Sequence, residues 1–98
     1  MIKVKITKNN IEISGHAKYD DYGKDIVCAS VSSIATTSVN AILRFDNEAI
    51  KYEEKEGYLK IDILKQTKET KTIILNMIDL FEQLEKDYSK NIKIYKEV

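Results

Sequence analysis

The 98-residue chain is 43% hydrophobic and 33% charged, with Lys plus Arg and Asp plus Glu balanced at 16 each for a formal net charge of zero. That length bounds it to one small domain, and the composition is that of a globular rather than a disordered protein. Zero net charge and a single arginine, Arg44, leave no field or phosphate clamp for nucleic acid, which we exclude as the primary partner.

Residues 2–7, IKVKIT, alternate Ile2, Val4 and Ile6 with polar residues, the period-two mark of a strand with one wet face. Lys8–Asn10 reads as a tight turn, and alternation resumes through Ile11 and Ile13. Gly15, His16 and Ala17 then fall at or just past the end of a second strand. Lys18–Lys24 has a glycine, acidic residues and no period, and reads as a loop.

Asp25 is a good N-cap for Ile26–Phe45. That segment is rich in β-branched residues, which disfavours a helix by propensity. Its spacing favours one, since Val27, Val31, Ile34, Ile42 and Phe45 return at three- and four-residue steps. The remaining positions are mostly Ala, Ser and Thr, small enough for close packing within the chain or against a second copy.

Ile50–Leu64 reads as a second hairpin turning at Lys55–Gly57. A last helix carries Ile74, Met77, Ile78, Phe81, Leu84 and Tyr88 on one stripe. The closing NIKIYKEV is a strand with Ile92, Ile94 and Tyr95 assigned inward. The expected fold is α+β, a single small domain over 1–98 in β-β-α-β-β-α-β order, with a mostly antiparallel sheet packed with two helices.

The start of the chain lacks the apolar stretch of a signal peptide, and no run approaches the roughly 20 apolar residues of a bilayer span. No membrane partner is expected. One cysteine, Cys28, suits a reducing compartment, and the cytoplasm is the expected location.

Cys28 and His16 are the only cysteine and histidine. With Asp25 as the cap, Cys28 sits in the first helical turn, where free N–H groups and the macrodipole favour anions. Such placement lowers a thiol's pKa below its usual value of about 8.5, and the same N–H groups would receive an oxyanion. His16 offers the one imidazole for acid–base work near neutral pH, and a nucleophile–base pair is what a cysteine hydrolase requires. The plain alternative is an inert buried thiol beside an incidental imidazole. One Cys and one His do not make a zinc site, so no metal or other cofactor is expected.

These stretches resemble the ribosomal-processing cysteine proteases called Prp, from Firmicutes and related bacteria. The matching residues are Gly15-His16-Ala17, Gly23, Asp25-Ile26-Val27-Cys28-Ala29 and Val31-Ser32, with the family's His-to-Cys spacing. Ser30 departs from the pattern, which more often has Gly or Ala there. The resemblance implies Cys28 and His16 as the catalytic pair, with Gly15, Asp25 and Ser32 supporting the site. It implies a substrate, the N-terminal extension of large-subunit ribosomal protein number twenty-seven, cut after an aromatic pair and before a small residue. It also implies a homodimer and a mobile loop beside the site. Tyr19, Tyr22 and Gly23 on the loop are candidates for meeting the substrate, although the tyrosines serve equally well as loop anchors. The rival readings are a non-catalytic module that binds the ribosome or its assembly intermediates, and a thiol redox or acyl-transfer protein.

Overall fold

The computed structural model describes residues 1–21 and 23–97. Seven elements follow in the expected order: β1 (Ile2–Ile6), β2 (Asn10–Ser14), α1 (Ile26–Phe45), β3 (Ile50–Lys55), β4 (Tyr58–Ile63), α2 (Lys68–Asp87) and β5 (Ile92–Lys96). The sheet order is β3-β4-β2-β1-β5. Three pairings are antiparallel, and the last, β1 with β5, is parallel in a register that sets Ile2 beside Ile92.

Alternation in the strands sends Ile2, Val4, Ile11, Ile13, Ile61 and Ile92 to one buried face, while Lys3, Lys5 and Lys93 stay in water. Both helices cover that face and pack against each other. Helix α1 buries Val27, Val31, Ala35, Ser38, Val39 and Ile42. Phe45, assigned to this stripe by spacing, is instead 67% exposed at the final residue of the helix, where no further turn covers it. Helix α2 buries Ile74, Met77, Ile78 and Phe81, with Thr67 capping its start through the Thr70 N–H.

Two other expectations are corrected. Tyr95 is 42% exposed, since one residue beyond Ile94 on a pleated strand faces the opposite side. Helix α1, by length and composition alone, is long and apolar enough to cross a bilayer, contrary to the expectation that no run reaches that length. It carries a single charged residue, Arg44, and its apolar stripe is packed on protein.

The end of β2 is where the site is placed. Gly15 leaves the strand at φ +95°, a conformation that glycine adopts at no steric cost, and a Cβ there would strike the Met1 carbonyl oxygen. Its N–H donates to the Gly57 carbonyl at 2.9 Å, which ties the β2 end to the β3–β4 turn.

Candidate active site

A groove of about 690 Å³ runs between the first turns of α1 and the β3–β4 hairpin. It is lined by His16, Asp25, Cys28 and Ser32 together with Gly15 and Gly23, so six of the residues singled out from the sequence converge on one concavity. Cys28 is half-buried in the first turn of α1, and Ser32 stands one turn further along, exposed. The Ser30 hydroxyl is spent on the Ile26 carbonyl at 2.7 Å.

Asp25 organises this end of the groove. Oδ1 accepts from Val27 N–H and Cys28 N–H at 3.0 Å each, capping the helix. Oδ2 accepts from Tyr19 N–H at 2.9 Å and, more weakly, from Asp20 N–H at 3.4 Å, tethering the loop. Burial alone would raise the pKa of this carboxyl, but the backbone donors of Cys28, Tyr19, Asp20 and Val27 together hold it below the ordinary aspartate value.

The same bonds correct the expectation that the helix N-terminal amides receive an oxyanion. Two of those amides, Val27 and Cys28, are already committed to the Asp25 carboxylate, whose negative charge offsets the positive end of the helix. The donor on the sulfur comes from elsewhere: Ala17 N–H reaches Cys28 Sγ at 3.3 Å. Ala17 is itself 2% exposed, and its carbonyl accepts from Asn91 Nδ2 at 3.0 Å.

His16 lies just past β2 and is exposed. Its imidazole lies over Gly57 in the β3–β4 turn, so closely that a Cβ on Gly57 would come within 2.9 Å of Nε2. No hydrogen bond joins His16 to Cys28 among the described residues, while both residues line the groove. Gly57 escaped the sequence reading, where it registers only as a turn residue. Its φ of +69° marks the position, but its contact with His16 follows from the sheet order.

Of the loop candidates, Tyr19 packs edge-on against Tyr88 with ring centroids 5.3 Å apart, and it does not line the groove. That is the anchor alternative, made by an aromatic pair rather than by a substrate. Tyr22 lies outside the described residues. Gly23, at φ +86° with open space around its α-carbon, faces the groove. Among the described residues no three His, Cys, Asp or Glu side chains stand together as metal ligands.

Comparison with known proteins gives consistent matches. A family model described as Cysteine protease Prp matches residues 1–93. A Ribosomal processing cysteine protease Prp from Staphylococcus aureus (strain Mu50) is 33% identical over 103 residues, covering 96% of this chain and 97% of the relative. A crystal structure of an essential ribosomal processing protease Prp from S. aureus, in complex with a covalently linked product peptide, superposes with a TM-score of 0.94 at 29% identity, covering 99% of this chain and all of that one. A second, in complex with a substrate peptide, gives a TM-score of 0.87 at 28% identity with the same coverage.

Proposed function

The chain belongs to the Cysteine protease Prp family, and from that premise we propose that this cysteine protease removes the N-terminal extension of large-subunit ribosomal protein number twenty-seven during ribosome maturation. The observation that carries the proposal is the convergence of Cys28 and His16 on one groove of about 690 Å³. The relatives' crystal structures with a substrate peptide and with a covalently linked product peptide support it.

Cys28 is the nucleophile. Its thiolate attacks the scissile carbonyl carbon, the C–N bond breaks as the His16 imidazolium gives its proton to the leaving amine, and an acyl-enzyme remains. Neutral His16 then takes a proton from water, whose oxygen attacks the thioester and releases the new C-terminus and the Cys28 thiolate. For this the imidazole swings from its seat over Gly57 toward the sulfur, a motion that substrate binding would drive as the loop of Lys18 and Gly23 closes on the peptide. The cut follows an aromatic pair and precedes a small residue.

The enzyme works in the cytoplasm as a homodimer. Helix α1 supports that assembly, since it leaves the small residues Ala29, Ser33 and Thr37 and the apolar Ile26 exposed. Sedimentation equilibrium at micromolar concentration tests it, and a purely monomeric species would overturn it.

The activity is tested by mixing the purified protein with the host's extended ribosomal protein and reading the product N-terminus by mass spectrometry. A single cut behind the aromatic pair, absent with Cys28→Ala and His16→Ala, is the expected result. Cleavage that persists in Cys28→Ala would exclude the proposed nucleophile.

A further inference from the structure

Asn91 lies in the turn between α2 and β5, far in sequence from the two motif stretches. Its backbone is fixed on both sides: the N–H donates to the Tyr88 carbonyl at 2.8 Å, and the carbonyl accepts from Ile2 N–H at 2.8 Å. From this anchored position Nδ2 donates to the Ala17 carbonyl at 3.0 Å. The Ala17 N–H donates in turn to Cys28 Sγ at 3.3 Å. The two bonds connect the far end of the chain to the sulfur through a single buried alanine.

We propose that Asn91 is a positioning residue for peptide cleavage, holding Ala17 so that its N–H stays directed at the Cys28 sulfur. The proposal rests on the reading of Cys28 as the nucleophile. A hydrogen bond to an ionised acceptor is about twice as strong as one between neutral groups, so a donor fixed on Sγ favours thiolate over thiol. Other nearby amides do not serve, because those of Val27 and Cys28 are spent on Asp25.

The same donor has a second use as the reaction proceeds. A sulfur lone pair becomes the S–C bond, the carbonyl π pair moves onto oxygen, and the negative charge passes from sulfur to an atom bonded to the same carbon. An N–H already directed at the sulfur needs only a small reorientation to serve that oxygen. Asn91 restrains Ala17 from behind throughout. Without it, the alanine is held only by its neighbours and by the bond that the reaction consumes.

The test is the pH profile of Cys28 alkylation by iodoacetamide in the wild type, Asn91→Ala and Asn91→Leu. Ile42→Val, at the far end of α1, serves as a control for lost stability alone. In both Asn91 variants the half-maximal rate should move to higher pH by roughly one unit, with about tenfold slower alkylation below both midpoints. The Leu variant keeps the volume with neither a donor nor a charge, so it reports on donation even where the Ala variant fails to fold. Ile42→Val should lower the melting temperature and leave the profile in place. His16, Lys18 and Asp20 on the loop, Asp25 at the cap, and Glu54, Lys55 and Glu56 on the hairpin line the same groove and are unchanged in every variant, so a shift traces to the lost donor. Folded Asn91 variants whose profiles superimpose on the wild type would overturn the proposal, leaving Asn91 as an anchor of its turn. Alkylation needs no turnover, so this outcome is read separately from persistent cleavage in Cys28→Ala, which would remove the reading of the nucleophile instead.

Discussion

Replacing Asp25 with Asn keeps one acceptor and turns the other into a donor. Asn caps helices as well as Asp does, so the bonds from Val27 and Cys28 N–H to Oδ1 survive. The new amide NH2 then faces Tyr19 N–H, which held Oδ2 at 2.9 Å, and Asp20 N–H, at 3.4 Å. A hydrogen bond to a charged group is worth about 1.5–3 kcal/mol, and the longer contact adds little. Because the loop is exposed and water can replace the lost acceptor, the low end applies, about 1.5 kcal/mol. In a domain of this size 1 kcal/mol moves Tm by about 4–8 °C, so Asp25→Asn should lower it by roughly 6–12 °C. Asp25→Ala removes the cap as well and should cost about 1 kcal/mol more. Thermal and urea unfolding followed by far-UV circular dichroism measure both. The pH dependence gives an independent check. The carboxyl's pKa is lower in the folded protein than in the unfolded chain, so its stabilisation is complete above the unfolded value and is lost as pH falls through the folded one. The gap between wild type and Asp25→Asn should therefore be full at neutral pH and shrink below about pH 4. A variant as stable as the wild type at neutral pH, or a gap that persists undiminished into strong acid, would refute the double role given to this carboxylate.

Gly57→Ala combines a left-handed backbone cost of about 1–2 kcal/mol with a Cβ pressed against His16 Nε2. The fold should persist by circular dichroism while kcat/KM drops by roughly tenfold or more, as small misplacements of a catalytic group do; unchanged turnover would show that the imidazole does not depend on this seat. Gly15→Ala meets the Met1 backbone rather than a movable side chain, so its effect should appear first as lost stability, of about 2–3 kcal/mol in urea unfolding. Tyr19→Ala loses the edge-on pair with Tyr88, worth about 0.5–1.5 kcal/mol beyond area, and should accelerate hydrogen exchange in the loop without abolishing cleavage. Phe81→Ala empties a fully buried position and should cost about 3–5 kcal/mol, with the whole unfolding transition moving rather than one segment.

The elements were legible because each is written locally. Helix α1 begins and ends where the spacing and the Asp25 cap place it, despite β-branched residues that lower its propensity, because burying its stripe outweighs a few tenths of a kcal/mol per residue. His16 and Cys28 stand out together in the sequence because the residues around both match one motif, and both line one groove. Period-two alternation names the buried face of a strand but not its neighbour, so the parallel pairing of β1 with β5 could not be read in advance. The roles of Gly57 and Asn91 depend on that strand order. Neither residue has a chemical signature of its own, and each matters through a backbone or imidazole that the sheet brings to it. Helix-terminal placement of Cys28 was read correctly, yet its consequence for the amides was not. The aspartate that marks the helix start is the same group that occupies them.

The parallel register that sets Ile2 beside Ile92 also governs when this molecule becomes competent during its synthesis. Strand β1 emerges from the ribosome first, but its partner on that side does not exist until nearly all of the described chain has been made, at about 5–20 residues per second. Pairings so distant along the chain close late, because the entropy of a long loop is spent before any contact rewards it. Asn91 arrives with β5, so the alanine that faces the cysteine has no such restraint until that strand has been made. A nascent chain thus carries Cys28 through the making of α1, β3, β4 and α2 before the residue that we propose restrains the donor on its sulfur exists.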